Sequence, residues 1–311
     1  MRGLKNFIFP TLVLLILALA LSMPEVLTKW GAVETSIFIV PLLQIIMFGV
    51  GTEMSLADFK GVIQMPKGVL IGMLCQFSIM PFLGFGIARL FGFPPEIAAG
   101  IILVGSSPSG LASNVMSYLA KANLALSVTM TACATLVAPL ITPFMMSWLG
   151  GQFVEVDFLG MMWSIFQIVI IPIAIGLLFN HFLKGKISWL DKIMPIISMG
   201  GIILIIGVIT ANGRDSLLEI GLLLVLACVL HNTLGYLLGY FTAKAAKMDE
   251  ASCRTIALEV GMQNSGLASG IAVQMGKIAT VGLAPAVFGP LMNVSGSLLA
   301  SWWKNKPVEK G

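Results

Sequence analysis

Long apolar runs constrain this chain more than any other feature. The first, FIFPTLVLLILALALSM at 7–23, contains no charged residue, and comparable runs follow at regular intervals. Buried in hydrocarbon, every backbone N–H and C=O must pair within the protein, which leaves helices or closed barrels. The runs are continuous rather than alternating, so they are helical and not barrel strands. Hydrophobic residues make up 58% of the 311 positions and charged residues 10%. A soluble domain of this length needs about a quarter charged residues, so the chain reads as an all-α polytopic membrane protein.

Spans of roughly 20 residues fall near 7–23, 35–52, 67–90, 95–119, 123–149, 158–183, 191–210, 217–243, 255–276 and 279–302, ten transmembrane helices in all. The first is expected to be a retained span rather than a signal peptide, because it lacks a small-x-small cleavage site. With the N-terminus inside, fourteen of the eighteen Lys and Arg residues lie on the cytoplasmic side, Arg254 among them. That is the positive-inside bias. It places both termini in the cytoplasm and the protein in the cell's inner (plasma) membrane. The net charge of +4 reflects this bias and implies no nucleic-acid partner. Cys75, Cys133, Cys228 and Cys253 have no metal spacing and read as packing residues.

The string SGLAS occurs at 109–113 and again at 265–269, each time in the fourth span of a five-span half. Weaker echoes pair FLGFG at 82–86 with LLGYF at 237–241, and LVAPLITPFM with GLAPAVFGPLM. An odd number of spans per half reverses the orientation of the second. The organisation expected is therefore two inverted-topology repeats, 1–152 and 153–311, an architecture of secondary transporters whose sites lie where broken helices meet. In VGSSPSGLASN, Pro108 and Gly110 interrupt the fourth span; in EVGMQNSGLAS, Gly261 and Gly266 bracket the polar residues of the ninth.

Glu259 is the one acidic residue set well inside an apolar run. A carboxylate at that depth costs at least about 2.5 kcal/mol, and no Lys or Arg of a neighbouring span is placed to pair with it. A cation is the economical partner. Hard cations prefer oxygen ligands, and Gln76, Ser113, Asn114, Ser127, Thr131 and Gln263 supply them within the spans. Ser127 and Thr131, four apart, share a helix face. His181 at a span end and His231 beside Asn232 read as structural. No nucleophile–base pair, HExxH or phosphate-binding loop supports an enzyme.

The strings SPSGLASNVMSYLAKANLALSVTMT and CRTIALEVGMQNSGLAS resemble the bile acid:sodium symporter family, especially its bacterial members, over essentially the whole chain. The resemblance implies a panel domain (spans 1, 2, 6 and 7) beside a core domain (spans 3–5 and 8–10), with discontinuous spans 4 and 9 crossing in the core. It implies a first sodium site at Ser113, Asn114, Ser127, Thr131 and Glu259, and a second at Gln76, Glu259, Val260, Met262 and Gln263. It also implies an organic-anion site at Ser109, Gly110, Asn264, Ser265 and Asn293, served by half-helices starting near Ser109 and Ser265. The cargo it implies is bile-acid-like or a small carboxylate such as pantoate or a keto acid, imported with sodium by alternating access without other cofactors. A monomer is expected, because no dimerisation feature stands out in the sequence. Ser109 and Met292 depart from residues common in the family, Gly and His. A cation/proton exchanger of similar fold is the alternative, and a membrane-embedded enzyme or receptor a more distant one.

Overall fold

The computed structural model describes residues 2–183 and 190–307. Helix occupies all ten apolar intervals. The elements are α1 (Arg2–Ser22), α2 (Ile39–Glu53), α3 (Pro66–Phe91), α4 (Pro95–Ser106), α5 (Ala112–Leu119) and α6 (Leu124–Trp148). There follow α7 (Phe158–Ile165 and Ile171–Leu183, joined by the π turn Phe166–Ile170), α8 (Leu190–Asn212), α9 (Arg214–Ala245), α10 (Glu250–Gly261), α11 (Ser265–Gln274) and α12 (Leu283–Lys304). Six stretches among the described residues are long and apolar enough to cross a bilayer: Thr35–Glu53, Pro66–Phe91, Leu124–Gln152, Phe158–Phe182, Arg214–Ala245 and Leu283–Lys304. The chain is a multi-pass membrane protein, with large apolar side chains such as Leu14, Leu74, Leu140, Leu222 and Leu298 exposed on its outside.

The fourth and ninth intervals are each split, into α4/α5 and α10/α11. The break Ser107–Leu111 follows from Pro108, which lacks an N–H and forces Ser107 into an extended conformation (ψ 154°). The second break, Met262–Asn264, is shorter, because the Asn264 side chain accepts the Leu267 N–H at 3.0 Å and restarts the helix at once.

The elements around the two breaks recur 155 residues apart. Pro95–Ser106 corresponds to Glu250–Gly261, and the left-handed residues Gly92 and Lys121 to Lys247 and Gly276. The SGLAS copies lie 156 apart and are out of step with this frame. The second copy opens α11, whereas the first lies mostly in the break, and α5 begins at Ala112. The expectation of a half-helix starting near Ser109 is thus corrected: Ser109 and Gly110 are held in a backbone bridge to the second break, and no side chain caps a helix there.

Two packing neighbourhoods flank the breaks. Helix α2 lies along α7 and α8, and α1 along α8. Helices α3, α4, α9, α10 and α12 pack on one another, with α5 and α11 crossing among them. Leu43 of α2 faces Gly266 and Gly270 of α11, so the crossing borders the first neighbourhood.

A helix interrupted in hydrocarbon frees carbonyls at its cut end, and long neighbouring helices supply the partners. Thr142 Oγ1 of α6 donates to Ser106 O at 2.7 Å, and Asn232 Nδ2 of α9 donates to Gly261 O at 2.8 Å. These two carbonyls are the equivalent last residues of α4 and α10. Thr142→Val and Asn232→Leu are each expected to cost about 1–3 kcal/mol by leaving a buried acceptor bare. Thermal denaturation in detergent checks this, and an unchanged midpoint would mean the carbonyl has another partner.

Candidate functional site at the helix crossing

The two breaks meet as a short antiparallel bridge, Ser109 opposite Gln263. Gly110 N–H donates to Met262 O at 2.9 Å and Asn264 N–H to Pro108 O at 2.8 Å. Backbone groups cut loose from both helices thus satisfy one another where the chain is buried. Gly110 is needed for the approach, because a Cβ there would lie 2.8 Å from Gln263 O.

Directly beside the bridge, Glu259 is fully buried on α10, and three hydroxyls converge on its carboxylate. Ser113 Oγ lies 2.5 Å and Ser127 Oγ 2.6 Å from Oε1, and Thr131 Oγ1 lies 2.9 Å from Oε2. Ser127 and Thr131 also approach Asn114 Oδ1, at 2.8 and 3.2 Å, and Ser113 approaches Gly110 O at 2.7 Å. Ser109 adds a fourth hydroxyl near the carboxylate, outside strict hydrogen-bond geometry. No Lys or Arg among the described residues pairs with Glu259.

Six oxygen–oxygen contacts therefore depend on the three hydroxyls of Ser113, Ser127 and Thr131. Each hydroxyl carries one proton, so at least three of the contacts have none between the oxygens. The cluster is rich in oxygen and poor in protons, which is the chemistry of a cation ligand set.

The second expected set is only partly assembled. Gln76 Nε2 donates to Gln263 Oε1 at 2.8 Å and to Ser107 O at 2.9 Å, and Gln263 Nε2 donates to Val260 O at 2.5 Å. Gln76 Oε1 is buried without a partner. Met262 O is engaged by Gly110, and among the described residues no hydrogen bond links Glu259 to either glutamine.

The residues expected to hold the anion lie at the crossing or beside it. Ser109 and Gly110 are buried in the bridge, while Asn264 and Ser265 are half-buried at the start of α11. Ser265 packs on Gly289 of α12, whose carbonyl accepts Asn293 Nδ2 at 2.9 Å. His231, expected to be structural, bonds Met80 O through Nε2 at 2.9 Å and meets Phe288 edge-on.

Two features escaped the sequence reading. Asn232, Ser295 and Tyr236 form a polar network at the cut end of α10, with Ser295 Oγ 2.6 Å from Asn232 Oδ1. The spacing of Asn232 and Tyr236, four apart in an apolar span, was its signal. Arg254, assigned to the cytoplasmic side by its charge, is 1% exposed inside α10. No sequence signal separates a buried arginine there from a solvated one.

The family model described as Sodium Bile acid symporter family matches residues 40–220. The uncharacterized sodium-dependent transporter YocS of Bacillus subtilis is 40% identical over 299 residues, covering 96% of this chain and 91% of that protein. The probable sodium/metabolite cotransporter BASS1, chloroplastic, of Arabidopsis thaliana is 38% identical over 263 residues, 84% of this chain and 65% of its own length. A rice relative, the probable sodium/metabolite cotransporter BASS2, chloroplastic, is 34% identical over 308 residues, 97% of this chain and 71% of that protein. All are named as transporters and none as an enzyme. A match over more than half the chain, joined to relatives that align along almost all of it, places the chain in the sodium bile acid symporter family.

Proposed function

We propose that this protein imports a small organic anion together with sodium, and that Glu259 is the residue at which the two gradients are coupled. The observation that carries the reading is the proton shortage around a fully buried carboxylate. Protonating Glu259 would supply one proton where at least three are missing, which favours a cation over the cation/proton-exchange alternative. Ser113, Asn114, Ser127, Thr131 and Glu259 would form the first sodium site. Gln76, Val260, Met262 and Gln263 would form the second, with Glu259 shared between them. The unpartnered Gln76 oxygen supports that second position.

The architecture would be ten spans in two inverted five-helix halves, 1–152 and 153–311, with both termini cytoplasmic in the plasma membrane. The 155-residue recurrence of helix ends and left-handed turns supports it. The panel would comprise α1, α2, α7 and α8, and the core the remaining helices. Sodium would hold the broken helices together, and the anion would bind at Ser109, Gly110, Asn264, Ser265 and Asn293 on the side facing α2. The backbone amides at the starts of α5 and α11 favour an anionic group there. Relative motion of panel and core would then expose the site to either side in turn.

Two sodium ions with one monoanion move a net positive charge inward, driven by about 2.3 kcal/mol per 100 mV. Proteoliposomes given sodium and candidate carboxylates are therefore expected to show inward current that follows uptake. Electroneutral uptake of a monoanion would refute the two-ion stoichiometry, and sodium-driven proton flux without uptake would favour the exchanger.

A further inference from the structure

We infer that Arg254 is a positioning residue for the ion site, holding the short helix α5 where Ser113 and Asn114 meet Glu259. The inference rests on the sodium reading of the Glu259 cluster, although its structural part can be tested without it.

Arg254 stands five residues before Glu259 on α10, and its side chain is almost wholly buried. Nε donates to Glu250 Oε1 at 2.8 Å, Nη1 to Ala120 O and to Trp303 O at 3.1 Å each, and Nη2 to Pro307 O at 2.9 Å. The guanidinium also lies against the Trp303 ring. Four of its five N–H donors are thus committed. Two of the accepting carbonyls belong to helix ends: Ala120 is the C-cap of α5, and Trp303 lies in the last turn of α12. Helix-end carbonyls carry the negative end of the helix dipole; that of Trp303 also accepts the Lys306 N–H at 2.9 Å.

The consequence for the ion site follows from the length of α5. It has eight residues, about 12 Å at the usual rise. Its first turn carries Ser113 and Asn114, and its other end is the carbonyl that Arg254 grips. Helix α10 carries both Arg254 and Glu259, so one rigid segment holds α5 at its far end and meets its ligands at the near end. Asn123 N–H to Ala251 O and Thr255 Oγ1 to Asn123 O attach the loop after α5 to the same helix, at 3.2 and 3.0 Å. Among the described residues, Arg254 alone bonds the terminal carbonyl of α5 with a side chain.

At the opposite end of the crossing, the corresponding tie is of another kind. Glu96 of α4 is paired with Lys277 and Thr280, just beyond α11. Those side chains are about a third exposed, where water and salt screen an ion pair. The Arg254 tie is buried and fans to three backbone acceptors. A lysine, whose donors share one nitrogen on a flexible stem, cannot reproduce that span.

The test compares Arg254→Gln and Arg254→Lys with the unaltered full-length protein in proteoliposomes. Both variants are expected to raise the sodium concentration for half-maximal uptake about tenfold or more, the scale of losing an outer partner of a metal ligand. The anion KM at saturating sodium is expected to stay near its original value. Arg254 acting only as a general prop would instead lower the amount of active protein without moving the sodium half-saturation; that result in both variants overturns the inference. Hydrogen exchange in sodium-free buffer supplies an independent readout. Amides of α5 are expected to exchange faster in both variants, and those of α6 at their original rate. If the unaltered protein proves indifferent to sodium, the symport reading fails, and unchanged α5 exchange would separately overturn the role given to Arg254.

Discussion

Glu259→Gln is expected to abolish sodium-dependent uptake while leaving the protein folded. The amide occupies the space of the carboxylate and brings two N–H donors into a cluster that has three hydroxyl protons for six oxygen contacts. The variant should therefore be at least as stable as the original protein in sodium-free buffer, since a buried charge is removed and empty contacts gain protons. What it loses is the ion. A ligand at 100 times its Kd stabilises the state that binds it by about 2.7 kcal/mol, and that sodium-specific increment should vanish. Thermal denaturation in sodium and in potassium measures it. A retained sodium increment, or retained sodium-driven uptake, would remove Glu259 from the site. A variant that merely unfolds would instead give a low midpoint in both salts.

Gly110→Ala is expected to damage transport although it adds a single methyl group. The added Cβ would lie 2.8 Å from Gln263 O and 3.3 Å from the carbon of the same carbonyl. Both are backbone atoms, so no side chain can swing away. The bridge would have to open, straining the bonds from Gly110 to Met262 and from Asn264 to Pro108. Overpacking of this kind costs about 1–3 kcal/mol. Because the strain falls on the segment joining the proposed ion and anion sites, uptake is expected to fall by more than about tenfold, the equivalent of 1.4 kcal/mol. Gly86→Ala is the matched control: nothing lies within 4 Å of a Cβ there, and it should transport normally. Equal behaviour of the two variants in uptake and melting would mean that the crossing tolerates a side chain.

Much of the site was legible because hydrocarbon makes polar residues conspicuous. Glu259, Gln76, Asn114 and Gln263 stand out in apolar runs, and the structure brings Ser113, Asn114, Ser127, Thr131 and Glu259 into one cluster. The four-residue spacing of Ser127 and Thr131 sufficed to put them on one face of α6. The breaks were legible too, through Pro108 and the glycines. Their lengths were not. Whether a helix restarts after three residues or five depends on whether a side chain such as Asn264 reaches back to cap it, and the repeated string SGLAS hid that difference.

The amino-acid sequence by itself determined that this chain lives in a membrane as packed helices, and which helices are interrupted. The cost of an unpaired amide in hydrocarbon leaves helices or closed barrels, and apolar runs that are long and continuous rather than alternating exclude the barrel. Only the tertiary structure decided how the interruptions are repaired. Thr142 and Asn232 reach the cut ends from helices distant in sequence, the two breaks satisfy each other across the bridge, and Arg254 turns inward to grip three carbonyls. Local sequence records how far a residue lies from water. It does not record which distant carbonyl that residue will meet, because that partner exists only once the helices have packed.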